Sequence, residues 1–298
     1  MAIQSVKATI NGQEYDLNYD SGTGKWKATI TAPSKSSYNQ PNHYYDVTLK
    51  ATDDAGNTTT KNSADSLLGD NLKLYVKEKV APTQTITYPT SNALITSNKP
   101  EIEWQVRDND SGVDPDSIKL TIDSNAAITT GITKTPVSGG YDCSYTPSTT
   151  LADGQHTIKV DASDHDGNAA TQTTVTFKVD TVAPTLNVTS PVDNLITNQP
   201  LLTVTGTTND VTSSPVTVKI NNESVTVQSN GSFSKQITLD EGSNIITVVA
   251  TDGAGKSTTV TRHVTLDTGG PVFNSVTITP NPVDGGQTFI IEVEVEDD

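Results

Sequence analysis

The chain is short of the residues that anchor large cores and build reactive sites. It has one cysteine, one methionine, two tryptophans and four phenylalanines among 298 residues. A single cysteine excludes an intrachain disulfide framework. Alternation in Tyr141-Asp-Cys143-Ser-Tyr145 puts Cys143 on one strand face with two tyrosines, which predicts a buried structural thiol, and no base stands near to activate it. Hydrophobic residues make up 33% and aromatics 5%, a balance that suits several small cores better than one large one. Basic residues are also few. The 19 Lys and Arg stand against 35 Asp and Glu, giving a formal net charge of −16. Such a surface repels phosphate backbones, so nucleic acid is not expected as a partner. No stretch approaches the roughly 18 apolar residues of a membrane span, so no membrane insertion is expected. The opening Met-Ala-Ile-Gln-Ser-Val-Lys lacks a basic segment followed by an apolar run, and no secretory signal is predicted from it.

Reactive constellations are equally sparse. His43, His156, His165 and His263 fall in different repeats or at opposite ends of hairpins, so a zinc site is not expected. No glycine-rich phosphate loop precedes a helix, and no Gly-x-Ser-x-Gly stands at a strand–helix turn. Carboxylate pairs are many, yet no aromatic cleft marks one out. The sequence predicts no catalysis and no required cofactor.

What the chain does have is repetition. Ala51-Thr-Asp-Asp-Ala-Gly-Asn57, Ala162-Ser-Asp-His-Asp-Gly-Asn168 and Ala250-Thr-Asp-Gly-Ala-Gly-Lys256 are three copies of one turn. Each follows an alternating apolar strand and precedes a Thr-rich one. Val80-Ala-Pro82, Val182-Ala-Pro184 and Gly270-Pro271 mark unit openings 102 and 87 residues apart. Those lengths suit seven-stranded sandwiches rather than helical solenoids.

Lettering the strands A to G, residues 182–267 carry the full set, with Val216, Val218 and Ile220 inward on C and Ile246, Val248 and Ala250 inward on F. Residues 80–181 follow the same scheme, with Trp104 on strand B as a core anchor. The first unit starts at strand C. Val6, Ala8 and Ile10 align with Val216, Val218 and Ile220, Trp26 with Phe233, Ile30 with Ile237, Val47 with Ile246 and Leu49 with Val248. Residues 268–298 are the converse, an A–B ribbon with Phe289, Ile291, Val293 and Val295 on one side.

The Val-Ala-Pro opening, the paired pattern of strands B and C, and Ala-x-Asp-x-Ala-Gly-Asn ahead of strand G resemble bacterial immunoglobulin-like repeats over essentially the whole chain. The resemblance implies an all-β fold of tandem immunoglobulin-like β-sandwiches in an extended array. Its units are 1–79 (incomplete), 80–181, 182–267 and 268–298 (the ribbon). It implies a fold more than a function. Such modules occur in phage tail and baseplate proteins, in surface adhesins and as spacers in secreted enzymes. The first expectation is a non-enzymatic structural protein of a phage or phage-like particle, located in the virion. The alternatives are a bacterial cell-surface adhesin or stalk, and a spacer or glycan-binding module of a secreted glycan-active enzyme. Tyr38, Tyr44, Tyr45 and Tyr88 are the aromatics available for a host-surface glycan, although Tyr44 and Tyr45 also suit packing at the start of strand F.

Two acidic runs carry a choice. Asp108-Asn-Asp110-Ser-Gly-Val-Asp114-Pro-Asp116 follows strand B, and Asp164-His-Asp166-Gly-Asn168 forms a hairpin. Turn chemistry explains both, since Asp and Asn side chains bond nearby amides. Calcium is the second reading, because it takes six to eight hard oxygen ligands. Neither run has the glutamate that closes a 12-residue helix–loop–helix site.

The unfinished units carry the partner expectation. A unit without strands A and B exposes a sheet edge and part of its core, and a lone two-stranded ribbon is marginal. The ribbon residues Phe289, Ile291, Val293 and Val295 would complete the first unit at Val6, Ala8 and Ile10 of another copy, head to tail. A self-sufficient first unit, closure of the chain on itself, and an array cut twice at one phase are the other readings. Neighbouring virion proteins are the remaining protein partners.

Overall fold

The computed structural model describes residues 2–297. Among these the chain is all-β, with 24 strands, four short 3-10 turns and no α-helix. It divides into two compact units after Val179.

The first 79 residues build one antiparallel sheet from β1 (Ile3–Ile10), β2 (Gln13–Asp20), β3 (Lys25–Lys27), β4 (Tyr45–Asp53), β5 (Thr58–Lys61) and β6 (Lys73–Leu74). The order is β3-β2-β1-β4-β5, with β6 beside β4. Asn11 and Gly12 turn β1 into β2 with φ of 48° and 76°, the left-handed pair that matches hairpin twist. Register then fixes the faces. Val6 pairs with Leu17 and Ala51, Ala8 with Tyr15 and Leu49, and Ile10 with Val47. One end of this apolar face is closed by the chain itself, where Ile10, Tyr45 and Val76 pack with Tyr15, Ile30, Val47 and Leu74. The other end is not. Val6, Leu17, Leu49 and Ala51 remain only half-buried.

One expectation is corrected here. Trp26 does not take the place of Phe233 on an opposing sheet. It sits half-buried on β3, opposite Tyr19 of β2, with ring centroids 5.5 Å apart. Among the described residues this unit holds a single sheet, and the segment pairs with the free edge of β2.

The middle unit closes. Its strands are β7 (Thr83–Tyr88), β8 (Leu94–Ile95), β9 (Ile102–Arg107), β10 (Lys119–Ile122), β11 (Thr133–Val137), β12 (Gly140–Tyr145), β13 (Gly154–Asp161) and β14 (Thr173–Val179). They form sheets β10-β13-β14-β8 and β11-β12-β9-β7. Trp104, Cys143, Leu120, Ile158 and Phe177 fill the space between them, Trp104 at 1% exposure. Cys143 lies across from Trp104, and burial pushes its thiol up to about 11.

The third unit repeats the plan with β15 (Thr185–Ser190), β16 (Leu195–Thr197), β17 (Leu201–Asn209), β18 (Thr217–Ile220), β19 (Glu223–Val225), β20 (Ser232–Thr238), β21 (Gly242–Thr251) and β22 (Ser257–Leu266). Sheets β15-β17-β20 and β16-β22-β21-β18-β19 enclose Val204, Val218, Ile220, Phe233, Ile246 and Val248. Gly206 makes room for the Phe233 ring. A Cβ there would stand 2.4 Å from Phe233 Cζ.

Finally, β23 (Val272–Thr279) and β24 (Ile290–Glu296) form a hairpin, pairing Val276 with Val293 and Ile278 with Ile291. Glu292, Glu294 and Glu296 alternate with Ile291, Val293 and Val295, so one face is apolar and the other acidic. Both faces are exposed.

Candidate functional site

The two acidic runs meet at one pole of the middle unit. Val113 bridges to Asp164, and His165 N donates to Gly112 O at 3.1 Å. Turn chemistry occupies several of the carboxylates. Asp108 Oδ1 accepts the amides of Asp110 and Gly112, each at 2.8 Å. Asp164 accepts Asn168 N on Oδ1 at 2.8 Å and Asn168 Nδ2 on Oδ2 at 2.7 Å. Asp114 Oδ1 takes Asp116 N at 3.0 Å and starts the turn before β10. These are the local bonds that make Asp and Asn loop residues.

Asp110 and Asp166 instead hold the first 79 residues. Asp110 Oδ1 accepts Ser36 N at 3.0 Å, and its carbonyl accepts the Asn39 side chain. Asp166 Oδ2 accepts Glu78 N at 2.9 Å. The Tyr38 ring lies between His43 and His165, with centroids 4.2 and 3.9 Å away. Two histidines that the sequence separates therefore meet across a tyrosine. The other two are fixed locally. His156 contacts Asp123 at 2.9 Å and Ala152 O at 2.7 Å. His263 contacts Asp193 at 3.1 Å, and its backbone N–H and ring hold the Asp193 carboxyl below its usual range.

Two three-carboxylate clusters stand out. One oxygen from each of Glu78, Asp108 and Asp164 lies within 4.8 Å of the others, and Asp180, Asp210 and Asp252 do the same in the third unit. The sets correspond position for position. Glu78 and Asp180 each stand two residues before a Val-Ala-Pro, Asp108 and Asp210 follow strand B, and Asp164 and Asp252 are the third residue of the repeated turn. Ser111 and Ser213 correspond as well. Ser111 N donates to Glu78 Oε1 at 2.5 Å, and Ser213 Oγ donates to Asp180 Oδ2. Sequence reading reached only Asp108 and Asp164. Glu78, Asp180, Asp210 and Asp252 escaped it because each is an isolated acid in its own stretch. The 102-residue offset between Glu78 and Asp180, shared by Asp108 and Asp210, is the signal that finds them.

The expected partner residues divide. Ala8 and Ile10 are buried, Ile10 against Tyr45 and Val76, so of that trio Val6 alone belongs to the uncovered part of its face. Phe289, Ile291, Val293 and Val295 are all exposed, with Phe289 just ahead of β24. The expected glycan aromatics go separate ways. Tyr45 is core, Tyr38 is stacked between histidines, Tyr44 meets Tyr75 edge-on at 6.2 Å, and Tyr88 is exposed on β7. A groove of about 790 Å³ in the third unit is lined by residues such as Thr185, Asn209, Asp210, Lys219 and Gln228, with no histidine or cysteine among them. No helix among the described residues is long and apolar enough to cross a membrane.

Residues 80–181 match the family profile described as bacterial Ig-like domain, and residues 184–268 match glucodextranase, domain B. The chain is 28% identical to the PII-type proteinase of Lactococcus lactis subsp. cremoris over 275 residues, which is 88% of this chain and 14% of that protein. It is 32% identical to Bacillopeptidase F of Bacillus subtilis (strain 168) over 126 residues, 42% of this chain and 9% of that one. The chain thus spans a small part of the length of these relatives. Among solved structures it is similar to the fibronectin(III)-like modules of Clostridium thermocellum CbhA at 19% identity and a TM-score of 0.34, over 61% of this chain and 93% of that one. Paired sheets around separate cores and the two matched profiles lead to one conclusion: residues 80–181 and 184–268 are immunoglobulin-like β-sandwich units in tandem.

Proposed function

We propose that this chain is a non-catalytic spacer, a stalk segment of a bacterial cell-surface or secreted protein. The observation that carries the reading is the extent of similarity to the lactococcal proteinase. It runs through 88% of the chain, so a succession of units corresponds, not one module. The virion placement expected from sequence has no support among these relatives, and the surface stalk replaces it. In this role the chain supplies reach and a soluble acidic surface, and chemistry belongs to other parts of the polypeptide. Antibodies against residues 80–267 test it. They should label intact cells of the source bacterium, and protease treatment of those cells should remove the label. Label confined to lysed cells or purified virus particles overturns the reading.

A second reading concerns assembly and rests on the two uncovered apolar faces. The β23–β24 hairpin of one copy lays Val276, Ile278, Ile291, Val293 and Val295 on Val6, Leu17, Leu49 and Ala51 of another. Main-chain pairing supplies affinity and the apolar faces supply fit. Head-to-tail contacts of this kind give rings or fibres. Solution mass over a range of concentrations decides it. Association lost on shortening the chain to end at Asp267 supports the reading, and monomers in both cases remove it.

A further inference from the structure

We propose that Asp180, Asp210 and Asp252 bind a hard divalent cation of the calcium class. The three carboxylates are 1%, 8% and 6% exposed, with one oxygen of each within 4.8 Å of the others. Like charges at this spacing, out of water, repel strongly, and a bound cation relieves that repulsion. Neutral donors reach all three. Asp180 accepts Val182 N and Ser213 Oγ, Asp210 accepts the amides of Thr212 and Ser213 at 2.7 Å, and Asp252 Oδ1 accepts Lys256 N at 2.9 Å.

The second observation is an orphan oxygen. Asp252 Oδ2 is buried and has no hydrogen-bond partner. The other two copies of the turn show what is missing. Asn57 Nδ2 donates to Asp53 Oδ2 at 2.9 Å, and Asn168 Nδ2 donates to Asp164 Oδ2 at 2.7 Å. The third copy has Lys256 at that position, and Oδ2 is left without that donor. An unsatisfied buried carboxylate oxygen is costly, and ligation satisfies it. The spacing also fits. Calcium–oxygen distances of about 2.3–2.6 Å place opposite ligands about 5 Å apart. Ser213 Oγ and water complete the shell of six to eight oxygens. In the corresponding cluster Asn168 occupies Asp164 Oδ2, so the third unit holds the tighter site.

Calorimetric titration of the full chain with calcium chloride, after chelation with EDTA, tests the site. One tight ion is expected, with Asp164→Asn leaving it in place and Asp252→Asn weakening it at least tenfold. A second measurement avoids dependence on the folding of Asp252→Asn. In the Asp164→Asn chain the melting temperature should climb with calcium concentration, as mass action requires for a ligand of the folded state. No heat, no calcium-dependent rise in melting temperature, or unchanged affinity in folded Asp252→Asn overturns the proposal.

Discussion

Residues 1–79 and residues 182–267 carry aligned strands and reach different states of packing. Ile220 and Ile10 each end the strand before a hairpin, at 1% and 8% exposure. Val248 is fully buried, while the aligned Leu49 is half-buried. Phe233 is enclosed beneath Gly206, whereas the aligned Trp26 lies on a sheet edge. Backbone pairing and the turns form the sheet in both cases. Enclosure needs a second layer, which β15, β17 and β20 supply in one region and only loop residues such as Ile30 and Val76 supply, among the described residues, in the other. Full burial of a large aliphatic side chain stabilises by about 1.5–3 kcal/mol, so the open sheet forgoes part of that at several positions.

The comparison breaks or sharpens at definite places. Phe233→Ala should cost about 3–5 kcal/mol in urea denaturation, and Trp26→Ala clearly less, since its ring is only partly buried at a sheet edge. Equal losses would mean the first sheet is covered in solution. Ile220→Ala should cost about 2–5 kcal/mol, with Ile10→Ala at the lower end of that range. Gly206→Ala should cost about 1–3 kcal/mol by pushing Phe233 off its seat, read as a lowered melting temperature. The smallest effect is chemical. Burial holds the Cys143 thiol near 11, so at pH 8 iodoacetamide should modify the native chain far more slowly than the urea-unfolded one. A thiol raised on folding stabilises fully below its unfolded value of about 8.5, and the contribution is lost as pH climbs toward 11. Rapid native labelling at pH 8 would show the middle unit opening locally.

The alternation at Val218 and Ile220, or at Ile158 and Val160, made the closed units legible, because period two is a property of the strand itself. The fate of Trp26 was not legible. Alignment assigns it a partner strand, and pairing depends on which strands are present. Ile30, Leu74 and Val76 illustrate the same limit. They cap Ile10 through loops whose return has no periodic signature. The carboxylate clusters lay beyond local reading for a related reason. Asp180, Asp210 and Asp252 come from three separate stretches, and only the sandwich topology brings them to one pole. The repeated turn did hold part of the answer, in the single change from Asn57 and Asn168 to Lys256.

One connection has a mechanical consequence. In each closed unit a short strand near the chain's entry pairs in parallel with the last strand. β8 joins β14 through Leu94–Lys178 and Ile95–Val179, and β16 joins β22 through three successive pairs from Leu195–Val264 to Thr197–Leu266. Tension entering such a unit first loads the antiparallel pairing of β7 with β9 or of β15 with β17, and behind it this parallel pair, whose hydrogen bonds are sheared together. The β23–β24 hairpin, pulled at its two ends, parts one bond at a time. Under load the parallel pairs act as rivets and the hairpin as a zip.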